Sequence, residues 1–229
     1  MQVGREPFFI PATSSGSMTE LPDMVALDVV ILPPGPIMDM AIGANRILLA
    51  GNPGGGIRLE RDISLPHISV AIFPARREDI PEIARRIDRI TRRCSPMALT
   101  IDAIAKRRVG TETMVSVFHI PRPDILQLFH KAVMNAMMPY MSSPTGPEIF
   151  AGEASQASLD CLLQFPKSSA YARYSPHITL GSGDLPELVP GIDLPVRFEA
   201  TRVAICHLGN HCTCQKILAQ FDLGANRRP

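Results

Sequence analysis

Residues 26–32 (ALDVVIL) are almost unbroken aliphatic, rich in β-branched side chains, and end at Pro33-Pro34, which predicts a buried strand. A helix is expected next, over about 37–50. The GNPGGG segment, 51–56, must be a turn or flexible loop, because consecutive glycines favour neither helix nor strand. Strands are expected to resume at 57–59 and 67–73. Between 78 and 94, Ile80, Ile83, Ala84, Ile87 and Ile90 recur at three- and four-residue spacing with arginines and acids between them, the plainest amphipathic helix in the chain. Strands at about 97–104 and 114–120, joined by the polar KRRVGTE, read as a hairpin. Asp124 is placed to cap a second amphipathic helix whose apolar face carries Ile125, Leu128, Phe129, Ala132, Val133 and Ala136. Residues 142–174 read mostly as loop, with a short helix near 154–163. A strand at His177 follows, then strands at 196–199, 202–208 and 215–222, the last two joined by a turn around Gly209-Asn210.

Composition narrows the classes of function. The 229 residues are 45% hydrophobic, enough for a real core. A formal net charge of +1 gives no overall basic field to hold extended nucleic acid, so a small phosphorylated ligand or an RNA end fits better. Five cysteines, Cys94, Cys161, Cys206, Cys212 and Cys214, are an odd, scattered set in a chain too long to need a disulfide framework, so a reducing cytoplasm is the expected home. Residues 1–24 read as a flexible leader without the basic start and apolar core of a secretory signal, and 25–229 as a single domain. No apolar run approaches the ~20 residues of a membrane span, and a monomer is expected.

One phrase is written twice. Leu65-Pro66-His67-Ile68-Ser69-Val70 and Ser175-Pro176-His177-Ile178-Thr179-Leu180 both read Pro-His-Ile-hydroxyl-aliphatic, 110 residues apart. Proline can start a strand edge but cannot donate to the ladder, so each strand should begin near its histidine. Residues i and i+2 of a strand face the same way, about 6.5–7 Å apart. His67 with Ser69, and His177 with Thr179, therefore form imidazole–hydroxyl units, while Ile68, Val70, Ile178 and Leu180 face a core. Cleaving a phosphodiester requires one proton taken from the nucleophile and one given to the leaving oxygen. Imidazole, with a pKa of about 6.5, can do either at neutral pH. Ser69 and Thr179 can donate to the phosphate's non-bridging oxygens, so the chemistry needs neither metal nor cofactor.

These paired motifs resemble those of the two-histidine phosphoesterase superfamily, which includes 2′-5′ RNA ligase-like proteins and cyclic phosphodiesterases. Its signature is a pair of His-x-[Ser/Thr]-x motifs on strands about a hundred residues apart, matched here by His67-Ile68-Ser69-Val70 and His177-Ile178-Thr179-Leu180. Serine stands in the first motif where threonine is frequent, which keeps the donor. The resemblance covers about residues 26–223. It implies an α+β, bilobal fold with two antiparallel-rich sheets, pseudo-twofold symmetry, helices outside and the active-site cleft between lobes. It also implies action on cyclic phosphates or 2′-5′ linkages, with one of His67 and His177 the general base and the other the acid. Sequence does not assign which.

Other features carry less. Tyr171, Arg173 and Tyr174 precede the second motif, where a ring can stack on a base and a guanidinium pair with phosphate; loop packing is the alternative. Arg76 and Arg77 follow the first motif strand. GNPGGG lacks the Gly-Lys-[Ser/Thr] ending of a phosphate-binding loop. Cys206, His207, His211, Cys212 and Cys214 crowd together but lack zinc-motif spacing; the segment reads as two strands around a Gly-Asn turn, on which Cys212 and Cys214 share one face as small core residues. His119 and His130 read as structural. Beside phosphoesterase activity, the sequence leaves open a module that binds a phosphorylated metabolite or RNA end without cleaving it.

Overall fold

The early aliphatic run forms β1 (Met24–Leu32) in the computed structural model, which describes residues 21–54, 56–109, 113–144, 146–186 and 188–225. Pro33 and Pro34 end it, and Pro36 sits in the first turn of α1 (Gly35–Gly51), where a missing N–H costs nothing. The first motif opens β2 (Ile68–Arg76). A single 3₁₀ turn leads into α2 (Ile80–Thr91), which buries Ile80, Ile83, Ala84 and Ile87 as their spacing requires. Then come β3 (Met97–Ile101), β4 (Ala103–Val109), β5 (Thr113–His119), α3 (Asp124–Met137), α4 (Gln156–Ser168), β6 (His177–Ser182) carrying the second motif, β7 (Val196–Ala200), β8 (Arg202–Leu208) and β9 (Cys214–Asp222).

The architecture is α+β. A seven-stranded sheet runs β4-β5-β6-β2-β1-β8-β9 with all neighbours antiparallel, and β3 and β7 form a separate antiparallel pair. The two motif strands are central, and one register pair, Ile68 opposite Ile178, joins them. That narrow seam divides the large sheet into a β4-β5-β6 half, packed by α1, and a β2-β1-β8-β9 half, packed by α2, α3 and α4. Ile68, Val70, Ile178 and Leu180 are fully buried. At about 1.5–3 kcal/mol for each large aliphatic side chain removed from water, these four anchor the seam. No helix among the described residues is long and apolar enough to cross a membrane.

Several local expectations change. Residues 57–59 form no strand, because their backbone groups bond to the Asn45 side chain: Asn45 Nδ2 donates to Ile57 O at 2.9 Å, and Leu59 N donates to Asn45 Oδ1 at 2.9 Å. The expected strand 97–104 is two strands broken at Asp102. It is β4, including the KRR taken for a connection, that pairs with β5. Asp124 does not cap α3; Pro123, extended at φ −69°, precedes the helix with no side-chain cap. The buried face of α3 is Leu126, Phe129, His130, Val133, Met134 and Met137, leaving Leu128 65% exposed, because His130 turns inward to reach the sheet. The helix expected near 154–163 runs on to Ser168 from its Ser155 cap.

The cysteines also depart from expectation. Cys206 and Cys214 form a disulfide with Cα atoms 5.5 Å apart, rather than being free core residues. Register shifts on β8–β9 bring them diagonally together, which residue spacing alone does not reveal. The leader's first twenty residues, Gly55 of GNPGGG and 110–112 of KRRVGTE lie outside the described residues. Leu21 and Asp23 are held by Arg77, whose Nη1 donates to Leu21 O at 2.6 Å and whose Nη2 pairs with Asp23 at 2.7 Å.

Candidate active site

Each motif histidine is fixed in the same way. Nδ1 of His67 donates to the carbonyl of Leu65 at 2.7 Å, and Nδ1 of His177 donates to the carbonyl of Ser175 at 2.8 Å. Committing Nδ1–H to a carbonyl two residues back sets the neutral tautomer and leaves each Nε2 as the ring's exchangeable site. The Leu65 end is tied down in turn, since Leu65 N donates to Cys214 O at 3.0 Å. With Ile68 opposite Ile178 in antiparallel register, the two units cross head to tail. Four polar side chains thus share the face opposite the buried isoleucines.

The backbone repeats as well. The β1–β2 register slips between Val29 and Val30, leaving Val70 as the extra residue, and the β5–β6 register slips between Ser116 and Val117, leaving Leu180. Each bulge falls directly after the motif hydroxyl. A bulged residue loses its ladder partner, and here a buried helix side chain takes the stray carbonyl. His130 Nδ1 of α3 donates to Val70 O at 2.7 Å, and Asn45 Nδ2 of α1 donates to Leu180 O at 2.6 Å. Gly181 follows at φ +143°, where an added Cβ would lie 2.8 Å from Asn45 Nδ2, so strain and space both demand glycine.

The surroundings break this symmetry. On the His67 side, the fully buried Asp28 accepts from Ser69 Oγ at 2.6 Å and lies 3.8 Å from His67 Nε2. Its other oxygen, Oδ1, has no hydrogen-bond partner among the described residues. Burial pushes its carboxyl well above the usual range, only partly offset by the Ser69 hydroxyl and the Ala71 and Val70 amides. On the His177 side, Arg107 of β4 donates to the Ser175 hydroxyl, and His119 stands opposite His177 with its own Nδ1 2.7 Å from Asp102. Burial lowers both motif histidines. His177 falls further, to about 4, because the Arg107 guanidinium adds to its burial.

The positions proposed from sequence divide into two groups. His67, Ser69, His177 and Thr179 lie together on the paired motif strands, although the Ser69 hydroxyl is engaged by Asp28. Tyr174 is buried, stacked on His130 with ring centroids 3.9 Å apart, and its hydroxyl donates to Ser69 O at 3.0 Å. Tyr171 donates its hydroxyl to Asn135 and its backbone N–H to His130 Nε2, while Arg173 donates to Lys167 O. His130 thereby couples the first motif strand to the segment leading into the second. Asp28 and Arg107 had no sequence signal, one hidden in an aliphatic strand and the other in a basic run. Among the described residues, no group of three or more His, Cys, Asp or Glu is placed to hold a metal ion.

The low value of His177 is measurable. Its imidazole resonances should titrate near pH 4, against an ordinary 6.5. An unfolded chain takes up this proton near 6.5 and the folded one does not, so stability must fall as pH is lowered through that window. The contribution is on the order of 3 kcal/mol at full effect. Titration near 6.5 in the folded protein would contradict the buried, Arg107-facing placement.

The large antiparallel sheet with helices outside is a fold shared with solved structures. TT0787 of Thermus thermophilus matches at a TM-score of 0.53 and 14% identity, over 87% of this chain and 98% of that one. A structure described as a phosphoesterase matches at 0.52 and 14%, over 87% and 98%. Escherichia coli LigT complexed with NADP+ matches at 0.51 and 13%, over 88% and 99%. No family model matches the sequence, and no curated protein matches it.

Proposed function

We propose that this protein is a phosphoesterase that opens a cyclic phosphate, or cleaves a 2′-5′ phosphodiester, of a nucleotide or RNA end by two-histidine acid–base catalysis. The observation that carries the proposal is the matched anchoring of His67 and His177 through Nδ1, which leaves two Nε2 atoms on one face of adjoining strands. Two imidazoles supply both proton transfers, so the reaction requires no metal.

The asymmetry of the surroundings supports an assignment of roles. His177, neutral at pH 7 beside Arg107, takes the proton from the attacking water. His67, whose Nε2 lies 3.8 Å from the Asp28 carboxyl, gives one to the leaving ribose oxygen. Thr179 and Arg107 are available to meet the non-bridging oxygens, where negative charge accumulates. Nucleotide-sized substrates suit a near-neutral chain, and LigT has been solved with ATP as well as NADP+. The test is incubation with 2′,3′-cyclic AMP and with a 2′-5′-linked dinucleotide in EDTA. Release of one phosphomonoester isomer, unchanged by the chelator, is expected. Calorimetric binding of the nucleotides without turnover would replace catalysis by recognition.

A further inference from the structure

A third imidazole shares the motif face. His119 lies directly opposite His177 in the β5–β6 register, and directly opposed residues of an antiparallel pair point the same way, with Cβ atoms about 4.5–5.5 Å apart. The strand order β5-β6-β2 places His119 on the far side of His177 from His67. Asp102, at the break between β3 and β4, holds the ring from the side away from His177: its backbone N–H donates to His119 O at 3.2 Å, and its carboxylate accepts from His119 Nδ1 at 2.7 Å. With Nδ1–H committed there, the neutral ring carries its lone pair on Nε2. The other half of the sheet differs at this place. Val30 opposite Ser69 corresponds to Val117 opposite Thr179, and two residues further on, where β5 has His119, β1 has Leu32. Leu32 is 2% exposed and packs with Val30 and Cys214, whereas the His119 and Asp102 side chains are 36% and 39% exposed. Packing is met by leucine at this position, so an imidazole held by a carboxylate and open to solvent serves something other than packing.

We propose that His119, held by Asp102, is a third catalytic imidazole that orders the attacking water and makes water the preferred nucleophile. This rests on the phosphoesterase reading, with His177 as the base. Attacking and leaving oxygens lie roughly in line through phosphorus. The nucleophile therefore enters on the His177 side, the flank open to solvent, and the ribose oxygen leaves toward His67. Water gives one O–H to His177 Nε2 and the other to His119 Nε2, which turns a lone pair toward phosphorus. As the bond from water oxygen to phosphorus forms and the bond to the ribose oxygen breaks, the first proton passes to His177 and His67 protonates the ribose oxygen. The second water proton stays on the new phosphomonoester. His177 then returns its proton to solvent and His67 takes one up, which closes the cycle. An alcohol has a single O–H and cannot meet both imidazoles, so the pair of acceptors selects hydrolysis over transesterification.

The experiment offers 2′,3′-cyclic AMP to the full chain in buffered water–methanol and measures the ratio of phosphomonoester to methyl phosphodiester by chromatography. His119→Leu, which copies the residue at the corresponding place on β1, is expected to lower that ratio about fivefold, the worth of one hydrogen bond. His119→Gln, whose amide oxygen can accept, should keep most of the preference for water. Both products form in one mixture, so their ratio does not depend on how much of a variant is folded. An unchanged ratio in His119→Leu would overturn the proposal and leave the phosphoesterase reading standing. Absence of turnover by the unaltered chain would remove that reading, and the proposal with it.

Discussion

Alanine at either His67 or His177 is expected to lower kcat on a 2′,3′-cyclic nucleotide by about 10²–10⁴-fold, the range measured for removing a positioned general acid or base. KM should change little, because Thr179 and Arg107 remain to meet the phosphate. The two losses should not multiply. Once one proton transfer is unassisted, the partner imidazole has less to contribute, so the double variant is expected within about tenfold of the worse single one. The fold should survive either change: the Nδ1 of each histidine bonds to a carbonyl of the adjoining loop, and Ile68 and Ile178 still fill the core. Thermal unfolding beside the rates would verify this. Turnover surviving in both single variants would remove the histidines from the mechanism.

Asp28→Asn is expected to move activity and stability in opposite directions. The wild-type carboxyl is buried with one unpartnered oxygen, an arrangement that costs about 1–3 kcal/mol for an unsatisfied group and more when it is charged. A carboxyl raised in the folded state stabilises most fully below its unfolded value of about 3.8 and loses that contribution as pH rises through its folded value. Asparagine keeps an acceptor for Ser69 and cannot ionise. The variant should therefore unfold at a higher temperature at pH 7, with the gain shrinking as the pH approaches about 4. Its kcat should fall about 10–100-fold, because His67 loses the titratable carboxyl 3.8 Å from Nε2. The acid limb of the pH–rate profile should shift as well. A residue serving only the fold would lower stability and leave that limb in place.

The motif pair was legible because period-2 alternation fixes both what faces a cleft and what faces a core, and the four aliphatic positions are fully buried as that alternation requires. The α2 face was legible for the equivalent helical reason. What escaped lies in long-range contacts. Asp28 interrupts an aliphatic run by one residue, and only the β1–β2 register brings its carboxylate to Ser69, 41 residues away. Arg107 reads as part of a solvated basic run until β4 proves to be a strand paired with β5. The inward turn of His130 exposed Leu128, which spacing had placed inside, because a buried carbonyl required a donor and no periodicity records that demand. The Cys206–Cys214 bond likewise depends on slips in hairpin register.

Those stray carbonyls bear on what could be moved to another protein. A four-residue phrase grafted onto a foreign strand would carry the imidazole and the hydroxyl. It would not carry the kink that follows them, since the kink leaves a buried oxygen that something must satisfy. Here the satisfying groups, His130 and Asn45, come from helices 60 and 135 residues distant in sequence from the carbonyls they meet. The smallest portable unit is therefore a strand together with its helix donor. Two such units, each with a different donor solving the same problem, make up the centre of this molecule.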